Sequence, residues 1–171
     1  MYFVTSNKNK LEEVRSILPD IKQLDIDLME IQNIDSKEVV KQKLLQALEY
    51  VDEEVIVEDT SLSLECLNGL PGPFVKWFQN DLLVEISEKL GESNAEVKTI
   101  IGYAKNKEEM YFFEGSTKGT IVKPKGKLNF GWDPIFMPEG YNLTFAEMED
   151  KNEVSMRRIA LNKLKDFLYK I

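Results

Sequence analysis

Histidine is absent from all 171 residues of the chain. That single absence removes Ser-His-Asp and Cys-His catalysis, histidine general bases and every mixed Cys/His zinc site. Chemistry is left to carboxylates, lysines, hydroxyls or an oxygen-ligated cation such as Mg²⁺. Cysteine is nearly absent as well: Cys66 stands alone, which excludes an internal disulfide framework and reads as a small buried apolar group in a reducing compartment. No apolar run approaches the ~20 residues of a membrane span, and Met1-Tyr2-Phe3-Val4-Thr5 lacks the basic flank and long apolar stretch of a signal peptide. The expectation is a cytoplasmic protein with no membrane partner. Basic residues are in deficit, 22 Lys and Arg against 30 Asp and Glu for a net charge of -8, which disfavours nucleic acid as a partner. A small polyanion would need local lysines and a cation. Neither a Walker P-loop nor G-x-G-x-x-G occurs.

Against these absences stand 43% hydrophobic and 30% charged residues, the composition of one soluble domain or of two small lobes sharing a core. A chain of this length buries roughly 70% of its unfolded surface and needs no structural metal. Tyr2 to Thr5 is a short apolar run followed by Ser6-Asn7-Lys8-Asn9-Lys10, after which Leu11, Val14, Ile17 and Leu18 recur at helical spacing as far as Pro19. Ile21 to Ile26 reads as a second strand. Ser36 reads as the cap of a helix with Val40, Leu44, Ala47, Leu48 and Val51 on its apolar face, and Glu54 to Val57 as a third strand. Strands separated by helices predict parallel pairing, with ligands at the strands' carboxyl ends. Beyond the turn-rich loop from Leu67 to Pro73, a helical pattern from Asp81 to Leu90 precedes three antiparallel strands, Glu96 to Ala104, Met110 to Gly115 and Thr117 to Val122. Gly126 to Tyr141 is a second loop, and Lys151 to Ile171 closes the chain as a helix. The expected fold is α/β, two lobes around a long mixed sheet with a central cleft. Residues 1–66 and 151–171 would form the α/β lobe, and 67–150 the antiparallel one.

Several clusters could carry chemistry. The Ser6 to Lys10 segment lies between a strand and a helix, where free backbone N–H groups and the helix dipole favour an anion and where Lys10 can reach phosphate. Glu58-Asp59-Thr60 follows Val57, so two carboxylates emerge where strand alternation sends one to each face. One could hold Mg²⁺ and the other orient it or a water, with Glu30 as a further oxygen ligand. Phe130-Gly131-Trp132-Asp133-Pro134 combines aromatics with an acid, as stacking on a flat ring and hydrogen bonding to its edge require. Lys118, Lys123, Lys125 and Lys127 form a basic stretch that reads as a solvated strand edge or a local polyanion contact. Lys151, Arg157 and Arg158 begin the last predicted helix against the dipole preference, consistent with a bound anion or with surface charge.

Taken in order, Thr-Ser-Asn-Lys-Asn-Lys (5–10), Glu-Asp-Thr (58–60), Leu-Pro-Gly-Pro-Phe-Val-Lys-Trp-Phe (70–78), Phe-Gly-Trp-Asp-Pro-Ile-Phe (130–136) and Ser-Met-Arg-Arg (155–158) resemble the inosine triphosphate pyrophosphatase family over almost the whole chain. The resemblance implies an ITPase-like fold of the anticodon-binding-domain-like, Maf/Ham type. It also implies a cytoplasmic homodimer that uses Mg²⁺, with Mn²⁺ as an alternative ion, to cut ITP, dITP and XTP into monophosphate and pyrophosphate. Carried over by residue, Thr5, Ser6, Asn7 and Lys10 would line the triphosphate, with Thr60 beside them and with Lys76 and Lys43 as further cationic contacts. Glu30 and Asp59 would bind the metal, and Asp59 and Lys10 would carry the catalytic roles. Phe130 would stack on the base, Gly131 and Trp132 would shape the pocket, and Asp133, Lys151 and Arg157 would read the base edge.

One residue departs from the family pattern. Its Ser-His-Arg is Ser155-Met156-Arg157 here, so Met156 takes a substrate-binding position with a side chain that supplies no useful hydrogen-bond donor. The expectation is weaker discrimination between ITP and GTP, or a higher KM. Two alternatives stand beside the main reading: a Maf-like pyrophosphatase with another base preference, and a silent nucleotide-binding sensor.

Overall fold

The computed structural model describes residues 1–127, 131–151 and 153–170. The chain opens with strand β1 (Tyr2–Val4), helix α1 (Lys8–Arg15), strand β2 (Lys22–Leu24) and helix α2 (Ser36–Ala47). Strand β3 (Val55–Leu64), the short β4 (Pro71–Gly72) and helix α3 (Asn80–Leu90) follow. The long strands β5 (Asn94–Ala104) and β6 (Met110–Ile121), then β7 (Phe136–Pro138) and α4 (Met156–Leu168), complete it. All seven strands join one mixed sheet in the order β2-β1-β3-β5-β6-β7, with β4 paired to β3. β1 runs parallel to both β2 and β3, whereas β3, β5, β6 and β7 pair antiparallel in turn.

Strand alternation explains how the sheet is covered. Ile56 and Ile101 point to one face and pack with Leu11 and Val14 of α1 and Leu161 and Leu164 of α4. Val55, Val57 and Ile100 point to the other, against Val40 and Leu44 of α2. Toward the far end of β3, Leu62 and Leu64 gather Leu83 of α3, Val97, Ile135 and Phe136 into a further cluster.

The structure changes several sequence expectations. β3 does not stop at Val57 but runs ten residues to Leu64, so Glu58 and Asp59 lie in mid-strand. What ends near them is the parallel partner: β1 pairs with β3 only at Val55 and Ile56. The two strands expected around Gly115 are the single strand β6. Glycine in a strand can mark a close approach by another backbone as well as a break, and here a Cβ on Gly115 would lie 2.0 Å from the Met156 carbonyl oxygen of α4. The cap of α2 is Asp35, whose Oδ1 accepts from the Lys37 N–H at 2.9 Å, and not Ser36. The last helix starts at Met156 behind its cap Ser155, so Lys151 belongs to the preceding turn.

Because α4 rests directly on Gly115, a methyl group there has to displace helix backbone. Gly115→Ala is expected to cost about 1–3 kcal/mol of stability. Urea unfolding measures it, and an unchanged midpoint would mean that the helix yields freely at this contact.

Candidate functional site

Two groups of charged side chains meet at β3, one on each face. On the α2 face, Lys43 donates to Asp59 Oδ1 at 3.2 Å and pairs with Glu30 Oε1 at 2.5 Å. Its ammonium also reaches the Glu58 carbonyl oxygen at 3.3 Å. Lys76, on the short 3-10 turn Pro73–Trp77, pairs with the other oxygen of Glu30. Asp59 is buried, and its Oδ2 has no hydrogen bond of good geometry among the described residues. Burial pushes its carboxyl above the usual range, opposed mainly by Lys43 and less by the nearby Ser36 hydroxyl. A buried carboxylate oxygen without a partner is costly unless something supplies one.

On the α1/α4 face, Glu58 takes Arg157 through Nε to Oε2 at 2.7 Å and Nη2 to Oε1 at 3.2 Å. Lys10 lies 2.8 Å from its Oε1. Arg157 Nη1 donates to Glu13 Oε2 at 2.7 Å, and Ser155 Oγ donates to Glu13 Oε1 at 2.8 Å. Burial alone would raise the Glu58 carboxyl, but the Arg157 and Lys10 charges outweigh it and hold the group down at about 2. The network ties α1, β3 and the first turn of α4 together. It also answers the question raised by cations at that helix start: Arg157 is balanced by two carboxylates of the chain itself.

The remaining expected residues surround these groups. Asn7 caps α1, its Oδ1 accepting from the Asn9 and Lys10 N–H groups at 3.0 and 3.2 Å. Thr5 Oγ1 accepts from the Asn7 N–H at 3.1 Å, so part of the anion-binding potential expected of this segment is already engaged. Ser6 is exposed, and the Thr60 hydroxyl shares a hydrogen bond with Thr99 at 3.2 Å. Asp133 is buried and paired with Lys151, and burial raises its carboxyl against the pull of that lysine. Trp132 sits edge-on to Phe136 at 5.9 Å. Phe130 lies outside the described residues. Met156 does not match the substrate contact expected of it: the side chain is buried in the cluster of Leu62, Val97 and Phe136, where an apolar thioether packs well.

Two cavities adjoin this arrangement. One of about 50 Å³ is lined by Glu30, Asn33, Asp59, Phe74 and Lys76. Another of about 550 Å³ is lined by Lys76, Phe78, Asn80, Gly131 and Trp132. Lys76 borders both, and so joins the carboxylate side to the aromatic side. Among the described residues no group of three or more acidic or thiol side chains forms a metal cage. Glu30 and Asp59 are nevertheless hard oxygen donors sharing one lysine, and two carboxylates suffice for Mg²⁺ when phosphate and water complete its shell. These residues fit a divalent cation. Glu13 was not singled out from the sequence, since its part depends on α1 lying against the start of α4.

Glu58→Gln would leave the buried Arg157 with the partly exposed Glu13 as its remaining carboxylate, at an expected cost of about 1–3 kcal/mol. Because the Glu58 carboxyl is depressed from 4.5 to about 2, its contribution is full above the unfolded value and lost as pH falls through that window. Asp59 and Asp133, raised by burial, act in the opposite direction. Denaturant titrations of both proteins from neutral pH to pH 2 isolate the term: the difference between them should shrink in acid, and a constant difference would refute the assignment.

The Ham1 family model matches residues 1–167. The inosine triphosphate pyrophosphatase of Schizosaccharomyces pombe is 44% identical over 97% of this chain and 93% of its own length. That of Aspergillus fumigatus is 41% identical over 97% and 92%. Among solved structures, a HAM1 protein from Coxiella burnetii superposes with a TM-score of 0.85 at 25% identity over 100% of both chains. The Ham1 protein of Staphylococcus aureus does so with 0.82 at 27% over 99% of both. The family match over nearly the whole sequence, the identities with these relatives and the superposition of the fold agree: this chain belongs to the Ham1 family.

Proposed function

We propose that the chain is a nucleoside triphosphate pyrophosphatase that hydrolyses ITP, dITP and XTP to the monophosphate and pyrophosphate, clearing deaminated purines from the nucleotide pool. The observation that carries the reading is Asp59, with one oxygen on Lys43, the other buried with no hydrogen bond of good geometry among the described residues, and Glu30 on the same lysine. Such a pair suits a cation and an attacking water better than it suits structure alone. Bound at Glu30 and Asp59, Mg²⁺ or Mn²⁺ would neutralise phosphate charge and make water more acidic.

The chain's own groups account for the rest of the proposed chemistry. Asp59 orients the water toward the α-phosphorus and accepts its proton. Lys43 and Lys76 exchange Glu30 for the triphosphate oxygens, and Lys10 approaches from the first turn of α1, where it pairs with Glu58. These cations stabilise the charge that develops on the leaving pyrophosphate. On the other side of β3, three N–H groups of Arg157 are committed to Glu58 and Glu13, while a guanidinium carries five. The remaining donors, with Lys151, suit the 6-keto oxygen of hypoxanthine or xanthine. Adenine's amino group would leave them unpaired, and that cost selects against ATP. Guanine shares the keto group and can be rejected only through its 2-amino substituent. The reading includes a cytoplasmic homodimer. Among the described residues, no helix is long and apolar enough to cross a membrane.

Pyrophosphate release from ITP, dITP, XTP, GTP, ATP and CTP, with Mg²⁺, with Mn²⁺ and with EDTA, tests the proposal. Metal-dependent release chiefly from the first three is expected. Release chiefly from other bases would favour a Maf-like preference, and binding without release a sensor. Asp59→Asn should abolish turnover with the fold intact, and near-normal kcat would remove Asp59 from the mechanism. Phe130→Ala should raise KM by the equivalent of about 1–3 kcal/mol through lost stacking, and an unchanged KM would place that ring elsewhere.

A further inference from the structure

Asn80 opens α3 directly after the segment that carries Lys76, and its Nδ2 donates to the Gly131 carbonyl oxygen at 2.8 Å. The two ends of this hydrogen bond differ in how they are held. α3 is seated by Leu83 and Val84 in the core, and Ser87 Oγ donates to the Leu83 carbonyl at 3.0 Å. Gly131 has a left-handed backbone, φ +47, with none of the described residues within 4 Å of where a Cβ would stand. Just beyond it the chain is tied by the Ile135 N–H to the Trp132 carbonyl at 3.1 Å, the Lys125 N–H to the Pro134 carbonyl at 3.0 Å, the Ala146 N–H to the Asp133 carbonyl at 3.2 Å and the Asp133–Lys151 pair, whereas at Gly131 itself the bond from Asn80 reaches across from another element. Asn80 and Lys76 line one wall of the 550 Å³ cavity, and Gly131 and Trp132 line the other. The hydrogen bond therefore runs from wall to wall.

We infer that Asn80 is a positioning residue for the base-binding loop. Its amide sets the separation between the Lys76 segment, which meets phosphate, and Gly131-Trp132-Asp133, which meets the base. Asn80 does not act on the reacting atoms. It fixes the span that a purine nucleotide has to fill, so losing it should weaken binding and leave the bond-breaking step nearly unchanged. The inference rests on the proposed hydrolysis of purine nucleoside triphosphates.

Donation is the property at stake, and Asp is nearly isosteric with Asn but turns a carboxylate oxygen toward the carbonyl. An acid in the first turn of α3 favours the helix dipole, so Asn80→Asp separates loop positioning from folding. Asn80→Gln keeps a donor one methylene further out. The experiment is hydrogen exchange by mass spectrometry on the intact chain, together with thermal melting and kcat and KM for ITP, for the wild type, Asn80→Asp and Asn80→Gln. For Asn80→Asp, exchange over residues 131–135 should quicken and that over β5 should not. Its KM should rise about fivefold, the scale of one neutral hydrogen bond, with kcat within about twofold. Its melting temperature should not fall, and Asn80→Gln should lie closer to the wild type in exchange and KM. Unchanged exchange over 131–135 overturns the inference, and so does faster exchange with an unchanged KM. A lowered melting temperature with faster exchange throughout would also overturn it, by reducing Asn80 to a general stability role. Failure of the wild type to release pyrophosphate from ITP would refute the substrate reading instead, and the exchange comparison would still judge the tether.

Discussion

Glu58 and Asp59 are neighbours in the chain, yet each has its own surroundings because a strand sends successive side chains to opposite faces. Glu58 meets Arg157 and Lys10 beneath α1 and α4, and Asp59 meets Lys43 of α2. The buried charges at this point of the sheet are divided between those two faces. A shift of one residue in the register of β3 would exchange the two carboxylates and leave both sets of cations wrongly paired. The hydrophobic residues on either side, Ile56 toward α4 and Val55 and Val57 toward α2, hold the register against such a slip.

The two carboxylates also differ electrostatically for reasons that can be separated. Both are desolvated, which favours the neutral acid. At Glu58 the bidentate guanidinium and a lysine overcome that cost, and the group stays ionised far into acid. At Asp59 one lysine, shared with Glu30, does not, and proton affinity rises. Adjacent acids thus acquire opposite tendencies from their partners and not from their place in the chain. The net charge of -8 makes this local concentration of Lys10, Lys43, Lys76 and Arg157 more consequential, since the cations there have acidic partners chosen by geometry and a triphosphate would compete for them.

Much of the architecture was legible from apolar spacing. The helices around Leu11, Val40 and Leu83 and the order of the strands follow from it. β3 was harder, because Glu58-Asp59-Thr60 looks like a polar exit from a strand when its buried partners are unknown. β6 was read as two strands because Gly115 interrupts its side-chain pattern, and nothing local tells that an approaching helix backbone is the reason. Within the site, Glu30, Lys43, Asp59 and Lys76 come from four separate segments: Asp59 and Lys76 stand inside quoted motifs, whereas Glu30 stands outside them and Lys43 follows only from the family resemblance. Glu13 and Asn80 are different. Their importance comes from contacts across 144 and 51 positions, and no periodicity encodes such a contact. Met156 looked like a weakened binding residue because of its place beside Arg157, but one step along a helix start turns the side chain into the core.

Gly115 has no side chain, no charge and no place in the proposed chemistry. It is nevertheless where the sheet admits the backbone of α4, and the next residue along that helix after the contact is Arg157. Side chains can repack around a neighbour, but a peptide group 2.0 Å from where a Cβ would stand has no rotamer to change. An inert residue in the middle of a strand thereby fixes how closely α4, and with it Arg157, can lie against the sheet.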